Sequence, residues 1–186
     1  MSDDAQLIAK TLAGESTAFG QLVLKYQDRL YNTLVHVTGN TEDARDVVQE
    51  ALVQAFIKLD TFQQAAAFYT WLYRIAFNVA ATRRRRRRPV VSVERVRETS
   101  GQEPIDTEAG PTEQLEQDER RRQVWQAIAA LSQEHRGVLI LREIDGCCYE
   151  TIAEILELPI GTVRSRLHRA RLQLREQLKQ VLMVDE

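Results

Sequence analysis

The chain has 186 residues, 44% of them hydrophobic and 28% charged, with a formal net charge of −2; this suits one medium or two small globular domains. No apolar run approaches the roughly 18 residues of a membrane span. Met1-Ser-Asp-Asp lacks the basic and apolar regions of a secretory signal, so a cytoplasmic protein with no membrane insertion is expected. Cys147 and Cys148 are adjacent, which rarely satisfies disulfide geometry. With His36, His135 and His168 they show no zinc-ligand spacing, so two reduced thiols, no metal and no cofactor are expected.

Strand signals are nearly absent; Val90, Val91 and Val93, after Pro89, are the best candidates. Everything else apolar repeats at helical steps of three and four. Phe19, Leu22, Val23, Tyr26, Leu30, Leu34 and Val37 predict a first helix from Ala18 to Val37. Gly39 is a plausible stop, and Asn40 or Thr41 can cap the next helix. Glu42 and Asp43 then sit in its first turn, where negative charge complements the helix dipole. Ala44, Val47, Val48, Ala51, Leu52, Ala55, Phe56 and Leu59 form its core stripe, which leaves Asp46, Gln49 and Glu50 to project elsewhere. An irregular stretch, DTFQQAAAF, leads into YTWLYRIAFNVAATRRRRRR, a further helix ended by Pro89. Residues 98–119 are acidic, carry two glycines and two prolines, and read as a flexible linker. Val124, Ile128 and Leu131 mark a helix after it, and Val138, Leu139 and Leu141 to Ile144 a second, ended by Asp145-Gly146. YETIAEILE and GTVRSRLHRARLQLREQL complete an all-α chain of two small helical domains.

The small net charge conceals its distribution. Residues 1–82 hold 6 basic and 9 acidic side chains, 83–97 hold 8 and 1, 98–119 hold none and 8, and 120–186 hold 11 and 9. Strong fields of opposite sign lie side by side, so the net value does not argue against a nucleic-acid partner.

The last two helices are joined only by Leu158-Pro159-Ile160, the short connection of a helix-turn-helix. Ala153 is small where the helices approach, Ile152, Leu156 and Leu158 fill the angle, and Pro159 stops the first helix. On the second helix Val163, Leu167, Ala170 and Leu174 form one apolar stripe. Arg164, Ser165, His168 and Arg175 point the opposite way, flanked by Arg166, Arg169 and Arg171. In this motif the N-terminal turns of the second helix touch base edges, and arginine can donate two bonds to guanine. The competing reading is an amphipathic surface helix with solvated charges.

The segments RDVVQEALVQAFIKLDTF, Arg45 to Phe62, and FYTWLYRIAFNVAATRRRR, Phe68 to Arg86, resemble conserved region two of bacterial sigma factors. YETIAEIL with GTVRSRLHRAR resembles their region four. The match is to the small extracytoplasmic-function (ECF) group, above all its envelope-stress members, and spans about residues 17–88 and 120–178. It implies a region-two domain at 1–97, the linker at 98–119 and a region-four helix-turn-helix domain at 120–186. The implied function is promoter recognition as a subunit of core RNA polymerase, without catalysis.

By the same resemblance Asp46, Gln49 and Glu50 would bind the clamp helices of the polymerase β′ subunit. Phe62, Trp71, Arg74, Asn78, Arg83 and Arg84 would serve the minus-ten element, with a flipped base captured by the loop Thr61–Ala67. Aromatic faces suit that task because stacking on an exposed base is worth about 1–3 kcal/mol. For Leu72, Ile75 and Tyr73, core packing is expected. The arginine run Arg83–Arg88 spreads around a helix and suits phosphates better than bases. Thr162, Arg164, Ser165, His168 and Arg169 would read the minus-thirty-five element, with the domain resting on the β flap. The family's usual further partner is an anti-sigma factor. Gln63-Gln64-Ala65-Ala66-Ala67 departs from the family's loop, which often has Gly and charged or hydroxylated residues, and leaves the captured base open. Two rivals stand beside this reading: a stand-alone helix-turn-helix regulator, and a nuclease using Asp43, Asp46 and Glu50 on one helix, for which no second carboxylate cluster is apparent.

Overall fold

A computed structural model describes residues 3–63, 66–86 and 111–182. Four helices form the N-terminal half: α1 (Asp3–Leu12), α2 (Ser16–Thr38), α3 (Thr41–Ile57) and α4 (Phe68–Arg86), with a 3₁₀ turn at Leu59–Thr61. The C-terminal half comprises α5 (Pro111–Ala130), α6 (Gln133–Leu139) continued by a π-helical turn at Ile140–Ile144, α7 (Tyr149–Leu156) and α8 (Ile160–Leu182). No strand occurs among the described residues. The strand candidates Val90, Val91 and Val93, the helix stop Pro89, and Arg87 and Arg88 of the arginine run lie outside them.

The boundary between α2 and α3 follows from three side chains. Gly39 takes φ 73 at the end of α2 and its N–H bonds Val35 O at 2.8 Å. That left-handed cap is open to glycine without a Cβ clash. Asn40 then accepts the Asp43 N–H at 2.9 Å as the N-cap of α3, a bond worth about 1 kcal/mol. Ala44, Val47, Val48, Ala51, Ala55 and Leu59 are buried as their spacing requires. Phe56 departs from that expectation, being 49% exposed, with its ring edge on Phe19 at 5.0 Å. Eight residues at 100° per step cover too wide an arc for one contact face, and Phe56 falls at its margin.

Two elements differ from the sequence expectation. Helix α1 has no counterpart there. It buries Leu7 and Ile8 and ties itself to α2 through Asp4, which accepts from Lys25 and Tyr26. Helix α5 begins at Pro111, inside the stretch read as linker. Proline is favoured at a first helical position, and the following TEQLEQDE is rich in helix formers with acid near the N-terminus.

The halves pack α2 on α3, α3 on α4, and α6 and α7 on α8. They also pack on each other, α4 against α7 and α2 against α6 and the π turn. The buried side chains of both halves form one continuous cluster that includes Leu72, Tyr73 and Ile75 from α4 and Ile140, Leu141, Cys147 and Ile152 from the C-terminal half. Each fully buried aliphatic side chain contributes about 1.5–3 kcal/mol relative to exposure.

Candidate nucleic-acid interface

Helices α7 and α8 meet at a sharp turn. Glu157 closes α7 at φ 53, ψ 48, and among the described residues it is the non-glycine with positive φ. A side chain in that region costs about 1–2 kcal/mol. The Leu158 N–H bonds Ala153 O at 3.0 Å, and Pro159 O accepts the Thr162 and Val163 N–H groups at 2.8 and 3.1 Å to open α8. Ile152 and Ile155 anchor α7, and Val163, Leu167 and Ala170 seat α8, each at most 1% exposed.

The polar face of α8 then stands outward. Arg164, Ser165, His168 and Arg169 are exposed and Thr162 is half-buried. Ser165 donates back to Thr162 O at 3.0 Å. Among the described residues Arg164, His168 and Arg169 form no ion pair. Two flanking arginines are engaged within the domain: Arg166 pairs with Glu134 at 2.9 Å and Arg171 with Glu143 at 2.6 Å. Such surface pairs are worth at most about 1 kcal/mol, so a phosphate can displace them.

The candidate residues on and before α4 sit differently. Trp71 is buried, packed on Phe62 and Phe68 at ring distances of 5.2 and 5.7 Å. Leu72, Tyr73 and Ile75 are buried as expected for core residues. Phe62 and Arg74 are half-buried. Gln64 and Ala65 of the candidate base-capturing loop lie outside the described residues. Asn78 is exposed, and its Nδ2 donates to Glu157 Oε2 at 3.2 Å. Arg83 turns onto α3, bonding Asp46 at 2.5 Å and Glu50 at 3.1 Å. Arg84 donates to Gln133 of α6. Two groups that the sequence kept apart, the α3 carboxylates and the arginine run, thus form one cluster.

Asp46 and Gln49 are exposed and Glu50 is half-buried, lining a shallow groove with Val53, Gln54 and Arg83. Beside it Val53, Phe56 and Ile57 are 58%, 49% and 69% exposed, an apolar extension of the acidic face that sequence reasoning missed. The available signal was Val53 and Ile57, apolar yet outside the core stripe.

A polar seam joins the halves. The Asp145 side chain, 4% exposed, accepts the Thr33 hydroxyl at 2.9 and 3.0 Å and lies 3.4 Å from Arg29 Nε. Arg29 also donates to Asp145 O at 2.7 Å. Thr33 Oγ1 is 3.1 Å from the Tyr73 hydroxyl, and the Tyr69 hydroxyl 3.2 Å from Cys147 Sγ. Burial raises the Asp145 carboxyl, against the opposing effects of Thr33 and Arg29. Burial also raises Tyr73 to about 12 and pushes up the Cys147 thiol. Cys148 is exposed at the N-cap of α7, its Sγ 3.1 Å from Thr151. Arg136 donates to Val37 O at 3.3 Å and Leu131 O at 3.1 Å, so its cation sits at the carbonyl ends of α2 and α5. His36 stacks on Trp125 at 3.7 Å with planes 2° apart, and burial lowers its pKa.

Among the described residues no group of three His, Cys, Asp or Glu could hold a metal ion, and no helix is long and apolar enough to cross a membrane. Residues 22–90 match Sigma-70 region 2, and residues 121–174 match Sigma-70, region 4. The chain is 39% identical over 173 residues to the RNA polymerase sigma-H factor of Pseudomonas aeruginosa, covering 90% of each. It is 38% identical over 175 residues to the ECF RNA polymerase sigma-E factor of Escherichia coli, again covering 90% of each. Among solved structures it resembles CnrH in complex with the cytosolic domain of CnrY, with TM-score 0.69, 27% identity, and 96% and 99% of the two chains covered. It also resembles the sigma factor RpoE in complex with the anti-sigma factor NepR from Bartonella quintana, with TM-score 0.66, 26% identity, and 87% and 96% covered.

Proposed function

The chain belongs to the ECF sigma factors of RNA polymerase, which bind core enzyme and direct promoter-specific initiation, and from that premise we propose which of its residues carry each step. Asp46, Gln49 and Glu50 on α3 bind the β′ clamp helices, their carboxylates meeting basic groups and Val53, Phe56 and Ile57 supplying apolar contact. Phe62, Trp71, Arg74, Asn78, Arg83 and Arg84 serve the minus-ten element: half-buried Phe62 by stacking, Trp71 by backing it from the core, and the arginines by holding phosphate. Thr162, Arg164, Ser165, His168 and Arg169 read the minus-thirty-five element from the major groove, and the domain rests on the β flap. The domains are taken as 1–97 and 120–186, joined through 98–119, whose last residues from Pro111 are helical. The protein acts in the cytoplasm, catalyses no reaction itself, and has an anti-sigma factor as its controlling partner.

The observation that carries the reading is α8 itself. One side is seated by Val163, Leu167 and Ala170, while the other leaves Arg164, Ser165 and His168 exposed at its N-terminal turns. That is the disposition a major-groove helix requires. The test is transcription in vitro with core polymerase and a promoter library. Initiation at a defined subset of promoters is expected, and none above core enzyme alone would overturn the reading. Replacing Asp46 and Glu50 by alanine is expected to abolish most core binding while leaving the helix-turn-helix folded, as read by circular dichroism.

A further inference from the structure

Where α2, α3, α4 and α6 meet, the surface sinks into a cavity of about 320 Å³, at the lower end of the size of ligand pockets. Its apolar lining comes from Val37, Val47 and Ala80, each at most 6% exposed. Its charged lining is three guanidinium groups, those of Arg83, Arg84 and Arg136, against the carboxylate of Asp43.

The three cations are not alike. Arg83 is already neutralised by Asp46 and Glu50. Arg84 is exposed and donates to the neutral amide of Gln133. Arg136 donates to Val37 O, Ala129 O and Leu131 O, all neutral carbonyls. Among the described residues neither Arg84 nor Arg136 pairs with a carboxylate. The Nε of Arg136 is buried and has no acceptor. Buried polar groups nearly always have partners, so an N–H of this kind calls for one. Burial lowers the Arg136 pKa, and the nearby Arg84 cation lowers it further. The carbonyl end of α2 accounts for one cation at this point. It accounts neither for the second nor for the Nε without an acceptor.

We propose that this cavity binds a small anion carrying two linked phosphate groups, held between Arg84 and Arg136. Guanidinium groups match phosphate oxygens in a planar, two-bond geometry. Two cations without carboxylate partners suit two phosphates better than one. Three carbonyls fix the Arg136 fork in advance, which spares the ligand part of the ordering cost. In a diphosphate ester the uncharged portion meets Val37, Val47 and Ala80. A nucleic-acid backbone fits less well, because it runs along a surface and the Arg136 Nε is buried. The ligand touches α4 and α6 together, so its binding stabilises the folded chain.

The test is calorimetric titration of the full chain with inorganic diphosphate and with adenosine diphosphate, at a fixed ionic strength of about 0.15 M. One saturable site is expected, with affinity at least tenfold above that for sulfate. Equal affinity for the two probes identifies the diphosphate alone as the ligand; tighter binding of the nucleotide identifies an ester. Arg136→Gln and Arg84→Gln should each weaken binding at least tenfold. Arg175→Gln, on the far part of α8, should leave it unchanged. If Arg136→Gln unfolds the chain by circular dichroism, the exposed Arg84 decides, since its replacement removes no buried group. Binding no tighter than that of sulfate overturns the proposal, and so does equal weakening by Arg175→Gln. A short single-stranded oligonucleotide that binds more tightly than diphosphate, and is lost in both cavity variants, would make the cluster a DNA contact and overturn it too. Neither core polymerase nor promoter enters the titration, so its failure is distinct from a failure of the assignments above.

Discussion

Helices α4 and α8 carry the same kind of candidate task, reading half a promoter each, yet they are presented in opposite ways. On α8 the reading face is bare: Arg164, Ser165, His168 and Arg169 are exposed above a buried stripe. On α4 Trp71 is 7% exposed, and Asn78, Arg83 and Arg84 are all bonded within the molecule. The difference follows from packing. Helix α8 uses one narrow side to seat itself on a small domain. Helix α4 is buried on several sides, with Phe68, Leu72, Tyr73, Ala76 and Phe77 all inside, and meets both α3 and α7. A helix that is already a core element can present a reading surface only where its neighbours withdraw.

The largest expected effect separates seating from reading. Leu167→Ala removes a side chain 1% exposed beneath α8 and should destabilise the C-terminal domain by about 2–5 kcal/mol in chemical denaturation. Arg164→Ala should leave the denaturation midpoint unchanged. Its effect belongs to binding, a loss of about 1–3 kcal/mol, or roughly 5- to 150-fold, at promoters dependent on the minus-thirty-five element. Equal loss at promoters lacking that element would mean that Arg164 holds phosphate and does not read a base.

Asn78→Ala tests the contact between α4 and the turn before α8 and should have a smaller consequence. It loses one candidate base contact but also removes the bond to Glu157, and the two effects oppose each other in apparent affinity. A few-fold fall in minus-ten discrimination is expected in competitive binding of holoenzyme to variant promoters.

The smallest effect is on acidity. Burial against Trp125 holds His36 below its ordinary value, which is about 6.5 when exposed. As pH falls through that value the separated domains bind a proton that the docked ones resist, so acid weakens docking, from about pH 6.5 down to the lowered value. Asp145 has the opposite sign. Its raised pKa favours docking on protonation, but only in the lower range where carboxylates titrate. Scattering between pH 7.5 and 5.5 should show modest expansion, absent in His36→Phe.

Much of this molecule was legible before its fold was known. The α2–α3 boundary followed from Gly39 and Asn40, and the seated side of α8 from Val163, Leu167 and Ala170. The exposed position of Arg164, Ser165 and His168 followed from the same 100° step. Helix α1 was missed because Leu7 and Ile8 alone make a weak pattern, and its attachment depends on Lys25 and Tyr26, far along the chain. The helical start at Pro111 is hidden in the sequence because acidic composition points to a linker where helix propensity points to a helix.

What the sequence determined by itself is local: where helices begin and end, which of their sides are apolar, and which motifs recur in order. Those depend on neighbours within a few residues, and a single chain displays them. The tertiary structure alone decided that Arg83 turns onto Asp46 and Glu50, that Trp71 faces inward, and that Asp145 closes a seam with Thr33 and Arg29. The last partners are 112 and 116 positions apart, a separation at which no periodicity relates one residue to the other. Their meeting depends on how two amphipathic bundles dock, which bonds Asn78 and Arg84 of α4 to the C-terminal half while the outer face of α8 stays bare.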